Sequence, residues 1–338
     1  MQTKLLSTSD NDIKYAGSVI KQGGLVGFPT ETVYGLGANA LDGEAVKKIF
    51  AAKGRPADNP LIVHISRLEQ WKTLVTDIPE KALLLAEKFW PGPLTVILNK
   101  SQCVPYETSG KLETVAVRMP SDETARRLID AAGVPIAAPS ANTSGKPSPT
   151  SAKHVFDDMN GKIEAIIDGG KCGVGVESTV ITLVTQTPTL LRPGGVTPEM
   201  LEEVLGEIKI DDAVYSKLKD GVKAASPGMK YKHYSPKAHV ALVKGSFDKY
   251  REYISSLDSE NIVALVFDGE ENSLDVKAIP YGGENDSASQ AQNIFAALRE
   301  VDRLGASAAY VRYPKRDGVG LAVYNRLIRA AAFEVIEL

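Results

Sequence analysis

Short apolar runs alternate with helical patterns along the first 205 residues, and this alternation constrains the fold more than any other feature of the chain. Runs such as residues 61–65 have the length of buried strands, whereas Ala45, Ile49 and Ala52 recur at helical spacing. Strands and helices mixed at this density indicate an α/β or α+β domain. The predicted strands of this part cover residues 25–28, 61–65, 94–98, 114–117, 136–138, 163–167 and 180–184.

The chain changes character between residues 206 and 236, which predicts an interdomain linker. This segment contains turn signals such as Ser226-Pro227-Gly228, and between Lys223 and Lys237 there are four lysines and no acidic residue. The length of 338 residues itself predicts about two domains. We therefore assign residues 1–205 to a first domain, 206–236 to a linker, and 237–338 to a second domain.

The second domain is predicted to be a small parallel sheet wrapped by helices. Residues 247–257 carry an apolar helical face, and Ser287 with Gln290 forms a capping-box signature before another helix. Successive β-α-β units place their strands parallel to one another. The predicted strands cover residues 240–243, 262–267 and 308–313, and the last helix begins near Leu321.

Composition excludes several classes of protein. A net charge of −3, from 39 basic and 42 acidic residues, argues against a generally basic nucleic-acid binder but permits a local basic site. Two cysteines and four scattered histidines give neither a disulfide framework nor a metal-ligand spacing. The sequence has no visible secretory leader and no apolar run of about 18 residues, so we expect a cytoplasmic protein that does not enter a membrane.

The first candidate binding segment is FPTETVYGLG at residues 28–37. A strand runs into a turn rich in hydroxyl groups and glycine, where amide N–H groups and side-chain oxygens can meet a small polar ligand. The alternative is a plain strand-to-loop transition in which glycine supplies a positive φ. The segment alone leaves both interpretations open.

The second candidate is a pair of cations, Lys53 and Arg55, at a predicted helix end marked by Gly54 and Pro56. Arginine offers a planar fork for phosphate or carboxylate oxygens, and lysine a mobile point charge, so the two could bind one anion. The alternative is that both are solvated charges that complement the C-terminus of the helix. Two cations at one helix end are normally solvated in this way, so the residues alone favour this alternative.

The third candidate is APSANTSGKPSP at residues 138–149, where small polar residues follow an apolar strand directly. Ligands of open α/β sheets bind at the carboxyl ends of strands, although a Ser/Pro-rich surface loop is also common.

Thr114 and Arg118 are four residues apart and share one side of a predicted strand. Taken alone, Arg118 is more typical of a surface charge, and His64 of a hydrogen-bonded core histidine.

Several catalytic signatures are missing from the sequence. There is no GxxxxGK[ST] phosphate loop, no nucleophile elbow around a serine and no metal-ligand spacing. Gly318-Val319-Gly320 is an incomplete dinucleotide fingerprint. The residues therefore give no support to covalent or metal-centred catalysis.

Taken in order, these segments resemble L-threonylcarbamoyladenylate synthase. The resemblance depends on Lys53-x-Arg55, on Ser140-x-Asn142 and on the segment PTETVYGL at residues 29–36. The KHYSP segment at residues 232–236 and the α/β tail resemble the long, two-domain form of that enzyme, so the resemblance covers nearly the whole chain. It implies a twisted mixed α/β sheet around a deep, positively charged cavity, plus a smaller Rossmann-like parallel α/β domain.

The resemblance implies a nucleotidyltransferase that makes threonylcarbamoyl-AMP and pyrophosphate from L-threonine, bicarbonate or CO₂, and ATP. This is the first step of threonylcarbamoyladenosine modification of tRNA, and a separate transferase complex uses the product. Mg²⁺ is implied to be carried by the ATP phosphates, with no metal ligand from the protein. Whether this chain contacts tRNA or the transferase complex directly is left open.

The resemblance also assigns roles to individual residues, none of them a covalent nucleophile. Lys53 and Arg55 would act electrostatically in catalysis, Arg118 would pair with the threonine carboxylate, and Tyr234 would reach back from the linker to close over the nucleotide. The implied threonine-binding residues are Thr32, His64, Arg118, Ala138 through its backbone, and Ser178. The implied ATP-binding residues are Lys53, Arg55, Asn59, Thr114, Ser140, Asn142, Ser148, Arg192 and Tyr234.

Two other functions stay open at this point. A non-catalytic RNA-binding module could use a basic concave site to hold a phosphate backbone, and its binding would be sensitive to salt but not to ATP. A related carbamoyl-adenylate enzyme could act on another amine or carbamoyl donor, and substrate competition would separate it from the first interpretation.

Overall fold

The structure is a computed structural model that describes residues 2–57, 59–216, 234–257 and 261–338. The part of the predicted linker at residues 217–233, with its turn signal and Lys223, Lys230, Lys232 and His233, lies outside the described residues. In the described ranges no helix is both long enough and apolar enough to cross a membrane.

The chain divides into two compact units. The first consists of Met1–Ser144, Ser148–Gly173 and Glu177–Lys230, and the second of Gly145–Pro147, Val174–Val176 and Tyr231–Leu338. The domain limits proposed from the sequence, at 205/206 and 236/237, stay predictions.

One mixed sheet organises the first unit, and its described part contains eleven strands. They run in the order β1-β8-β2-β3-β7-β4-β6-β5-β9-β10-β11, and parallel and antiparallel pairs alternate irregularly. The mixed α/β class predicted for this part is confirmed. In chain order the strands are β1 (Lys4–Leu6), β2 (Val26–Phe28), β3 (Gly35–Asn39), β4 (Ile62–His64), β5 (Leu94–Asn99), β6 (Thr114–Arg118), β7 (Ile136–Ala137), β8 (Ala165–Ile167), β9 (Thr179–Thr182), β10 (Thr189–Arg192) and β11 (Lys209–Ile210).

Helices with apolar inner faces cover this sheet. In α2 the predicted inward positions Ala45 and Ile49 are buried, Asp42 caps the first turn, and Gly54 ends the helix at φ 62°. This ending leaves Lys53 in the last turn, next to the loop that follows β7. In chain order the helices of this unit are α1 (Asp10–Lys21), α2 (Gly43–Lys53), α3 (Leu68–Leu74), α4 (Glu80–Phe89), α5 (Tyr106–Ser109), α6 (Glu123–Ala132), α7 (Ala152–Met159) and α8 (Pro198–Leu205).

The glycines of β3 are required for close packing, not for a positive φ. A Cβ atom at Gly37 would lie 2.8 Å from Ile136 Cγ2 and 2.9 Å from Phe28 Cε1, and one at Gly35 would lie 3.0 Å from the Phe28 ring. Neither glycine has a positive φ. The chain does leave strand β2 after Phe28, but the alternative in which glycine supplies a positive φ was wrong, because Gly35 and Gly37 lie in a strand and leave room for a buried ring.

The second unit is built on a parallel sheet of five described strands, in the order β14-β13-β15-β12-β16. All four neighbouring pairs are parallel, so the predicted parallel sheet is confirmed. In chain order its elements are β12 (His239–Lys244), α9 (Phe247–Ser255), β13 (Ile262–Val266), β14 (Lys277–Pro280), α10 (Ser287–Arg303), β15 (Ala308–Arg312), α11 (Gly320–Ala330) and β16 (Val335–Glu337).

Helix α10 begins with a different cap from the one the sequence suggested. Asp286 is the N-cap, and its Oδ1 accepts a 3.0 Å hydrogen bond from the amide N–H of Ser289. Gln290 donates through Nε2 to the carbonyl oxygens of Gly283 and Glu284. The predicted capping box of Ser287 and Gln290 was wrong, because Asp286 caps the helix one residue earlier and Gln290 donates to the preceding loop instead.

Candidate active site

The carboxyl ends of β4 and β6 bring two predicted threonine-binding residues side by side. These strands are parallel, and His64 is the register partner of Arg118. Thr32, in the loop after β2, joins them because Arg118 Nη1 donates a 2.9 Å hydrogen bond to its hydroxyl oxygen. All three side chains are buried, so three polar groups from distant parts of the sequence share one interior position.

Burial and a neighbouring charge keep His64 neutral. Its imidazole lies in the core, nearly perpendicular to the Phe28 ring, with the two ring centres 6.0 Å apart. Burial and the positive charge of Arg118 lower the pKa of His64 to about 3. At neutral pH it is therefore an uncharged hydrogen-bonding group, which can interact with a hydroxyl or carboxylate without adding charge.

The sequence interpretation missed the carboxylate partner of Arg118. Arg118 Nη2 lies 2.8 Å from Glu31 Oε1, and both side chains are largely buried. Arg118 Nε also donates to the carbonyl oxygen of Gly92 over 3.3 Å. Glu31 lies inside the segment singled out from the sequence, next to Thr32, but no local pattern indicates which cation a buried acid will meet.

Ser178, a predicted threonine-binding residue, is hydrogen-bonded to Arg192, a predicted ATP-binding residue. Its hydroxyl lies 2.8 Å from the hydroxyl of Thr95 on β5. Arg192, at the end of β10, donates from Nη2 to the Ser178 hydroxyl over 3.1 Å and from Nε to the Ser178 carbonyl over 2.9 Å. Because all three side chains are buried, a change at Arg192 will be transmitted to Ser178.

Lys53 is buried at the end of α2 and holds the polar loop after β7. Its ammonium donates to the carbonyl oxygens of Ser140 and Asn142, and the amide N–H of Ser144 donates back to the Lys53 carbonyl over 2.9 Å. Ser140 also donates to Asn142 Oδ1 over 2.5 Å. Three predicted ATP-binding residues are thus adjacent, although the helix and the loop are more than 80 residues apart.

Two more predicted ATP-binding residues are buried in the same unit. The Ser148 hydroxyl donates to the buried carboxylate of Glu177, which the sequence interpretation had not assigned although it directly precedes Ser178. Both side-chain amide atoms of Asn59 are buried, and among the described residues they have no hydrogen-bond partner. An unpaired buried amide is unfavourable, so a polar ligand or water there would stabilise it.

The remaining predicted residues are placed as follows. Arg55 is half-buried just beyond Gly54, and Thr114 is the first residue of β6, the strand that ends at Arg118. The amide N–H of Ala138 donates to the Ile62 carbonyl over 2.9 Å, so only its carbonyl oxygen can serve a ligand.

Tyr234 belongs to the second unit, unlike every other predicted site residue. It is buried with φ 64°, its ring centre lies 5.2 Å from that of Phe295, and the guanidinium carbon of Arg326 lies 5.8 Å from the ring. Its neighbour Ser235 donates to the Ala330 carbonyl over 2.7 Å. The closure of Tyr234 over a nucleotide stays a prediction.

Comparison with known proteins gives consistent matches over both units. Residues 18–194 match a family model described as telomere recombination, and residues 196–332 match one described as threonylcarbamoyl-AMP synthase, C-terminal domain. The threonylcarbamoyl-AMP synthase of Pyrococcus abyssi is 52% identical over 331 residues, or 96% of each chain. That of Bacillus subtilis is 44% identical over 339 residues, or 99% of this chain and 97% of the relative. The crystal structure of P. abyssi Sua5 complexed with L-threonine matches with a TM-score of 0.92 and 48% identity, covering 99% of this chain and 100% of that one.

Proposed function

The chain belongs to the threonylcarbamoyl-AMP synthase family, and on that premise we propose that it joins L-threonine, bicarbonate or CO₂, and ATP into threonylcarbamoyl-AMP and pyrophosphate. In class it is a nucleotidyltransferase. Its product then serves a separate threonylcarbamoyl transferase complex, as the first step of a tRNA modification.

The observation that carries this proposal is the buried group of Arg118, Thr32 and His64. A guanidinium, a hydroxyl and a neutral imidazole suit the carboxylate and hydroxyl of threonine. The relative Sua5 was crystallised with L-threonine, and it matches this chain over its whole length. We assign threonine to this group, together with Ser178 and the Ala138 carbonyl.

The residues suit a reaction between two anions. The ammonium of threonine loses one proton to water, the free amine adds to CO₂, and the nitrogen of the adduct loses a second proton to water, which gives a carbamate. A carbamate oxygen then attacks the α-phosphate of ATP, and the bond to the β-phosphate breaks to release pyrophosphate. ATP would arrive as its magnesium complex, with the metal on the phosphates. Lys53, Arg55 and Arg192 would reduce the repulsion between carbamate and phosphates and stabilise the charge that develops on the departing oxygens.

The reaction requires no covalent attachment to the protein. Positioning and electrostatic stabilisation can supply most of the rate in phosphoryl and nucleotidyl transfer, provided that the reactants are held in line.

Pyrophosphate release by the purified chain tests the proposal. Release should require ATP, threonine and bicarbonate together, and threonylcarbamoyl-AMP should appear by mass spectrometry. Release that does not depend on threonine and bicarbonate would refute the proposal. A panel of other amino acids in place of threonine tests the related alternative, an enzyme for another amine.

A substitution at Arg118 tests the threonine site separately. Arg118→Ala should raise the KM for threonine by about thirtyfold or more, since it removes one partner of a buried charged contact. Arg67→Ala is the matched control, because Arg67 is exposed and pairs with Asp130 on the surface. A normal threonine KM in Arg118→Ala would show that the carboxylate is bound elsewhere.

A further inference from the structure

The guanidinium of Arg118 is held on three sides by the protein. Nε donates to the Gly92 carbonyl, Nη1 donates to Thr32, and Nη2 lies 2.8 Å from Glu31 Oε1. A guanidinium has five N–H groups, so these contacts leave about one on each terminal nitrogen for a ligand. Arg118 is therefore both fixed in orientation and still able to accept a carboxylate.

Glu31 is an ionised carboxylate that can accept further hydrogen bonds. Its side chain is 13% exposed, and both of its oxygens are buried, without a well-aligned hydrogen-bond donor among the described residues. Burial opposes ionisation, but the charge of Arg118 and the nearby N–H groups of Arg118 and Ser121 outweigh it and lower the pKa of Glu31. A carboxylate offers about four lone-pair positions, so Glu31 can accept hydrogen bonds from a further cationic donor.

Within the part of the chain that the structure describes, the other titratable groups that act on this pair add no positive charge. His64 is neutral at pH 7, for the reasons given above. Asp122 caps α6, and burial together with the negative charge of Glu31 raises its pKa. Arg118 is thus the cation of this group, and Glu31 its adjacent anion.

We propose that Arg118 and Glu31 together form a dipolar recognition site for the zwitterionic head of an α-amino acid, with Glu31 as the residue that selects for the ammonium group. The amino nitrogen and carboxyl carbon of an α-amino acid are about 2.5 Å apart, because both are bonded to one carbon. This separation is close to the 2.8 Å between Arg118 Nη2 and Glu31 Oε1. A zwitterion can therefore lie antiparallel to the pair, carboxylate toward Arg118 and ammonium toward Glu31.

The dipolar site rests on the proposed function, since threonine is its expected ligand, and it adds a specificity that Arg118 alone could not provide. A simple carboxylate would meet a guanidinium whose charge is already partly neutralised by Glu31. It would also be repelled by Glu31 itself. Only a ligand that carries an ammonium beside its carboxylate gains from both members of the pair.

Calorimetric binding of two ligands tests this assignment. L-Threonine and (R)-3-hydroxybutyrate share the carboxylate, hydroxyl and methyl groups, and they differ only in the amine. The native chain should bind threonine at least about tenfold more tightly, which is the effect of one hydrogen bond to a charged group. In Glu31→Gln the ratio of the two dissociation constants should fall by about tenfold, because the amide removes the negative charge but keeps the shape.

A surface variant controls for the change in net charge. Glu44→Gln removes a carboxylate that is 80% exposed on α2, and it should leave the ratio unchanged. Equal affinities of the native chain for the two ligands would overturn the assignment even if Glu31→Gln failed to fold. A Glu31→Gln protein that loses affinity for both ligands by one common factor would also overturn it. If the native chain releases pyrophosphate in a threonine-dependent way while Glu31→Gln leaves the ratio of the two dissociation constants unchanged, this inference fails and the proposed function stands.

Discussion

The ammonium of Lys53 donates a 2.7 Å hydrogen bond to the main-chain oxygen of Asn142, so the cation at the end of α2 also fixes the polar loop that follows β7. A second bond, to the Ser140 carbonyl, strengthens this connection. Since Lys53 is buried, its charge would act on a ligand in a medium of low polarity, where electrostatic effects are large.

Replacement of Lys53 should abolish most of the adenylation rate. Lys53→Ala removes a positive charge near the expected phosphates and also frees the Ser140–Asn142 loop, so we expect kcat to fall by about 100-fold or more. Lys47→Ala on the same helix is the matched control, because Lys47 is half-exposed and pairs with Glu44. Steady-state pyrophosphate release measures both variants, and an unchanged kcat in Lys53→Ala would contradict the assigned role.

Replacement of Arg192 should affect both substrates. Arg192 is expected to bind ATP, and it also donates two hydrogen bonds to Ser178, an expected threonine residue. Arg192→Ala should therefore raise the KM for ATP and for threonine, each by about tenfold or more. Ser178→Ala is the comparison variant and should raise only the threonine KM. An Arg192→Ala enzyme with a normal threonine KM would show that the contact with Ser178 does not support binding.

His64 should make the stability of the first unit depend on pH. The folded pKa of about 3 lies below the ordinary value of 6.5, so between these values the unfolded chain binds a proton that the folded chain does not. Stability is therefore lost as the pH falls from 6.5 toward 3, by about 2 kcal/mol from this group at pH 5.

Denaturant unfolding of the native chain and of His64→Gln at pH 7 and pH 5 measures this effect. Tryptophan fluorescence is a suitable signal, because Trp71 and Trp90 both lie in the first unit. The Gln variant should lose less stability between the two pH values than the native chain. An identical loss in both proteins would mean that other groups cause the pH dependence.

Introduction of a single methyl group at Gly37 should destabilise the first unit. The new Cβ would lie 2.8 Å from Ile136 and 2.9 Å from the Phe28 ring, both of them fully buried, so Gly37→Ala should cost about 1–3 kcal/mol in the free energy of unfolding. Gly173→Ala is the control, because a Cβ atom there meets nothing within 4 Å. Equal stability of the two variants would show that β3 can shift to accept the methyl group.

The sequence by itself determined the kinds of elements and much of their positions. Apolar runs predicted strands that the structure contains, such as β5 at Leu94–Asn99 and β13 at Ile262–Val266. Strand β3 was missed because Gly35-Leu36-Gly37 lacks the alternation and the branched side chains of a typical strand. The ordered motifs were also sufficient to indicate the family, because each depends on residue types at short spacing.

Only the tertiary structure decided which of these residues meet. Arg118 and Glu31 are 87 positions apart, Lys53 and Asn142 are 89 apart, and β4 lies between β7 and β6 instead of beside a sequence neighbour. A local sequence pattern predicts whether a side chain is buried, but it does not predict which strand lies beside it. The order of strands in the sheet fixes that choice, and through it the partner of each buried charge.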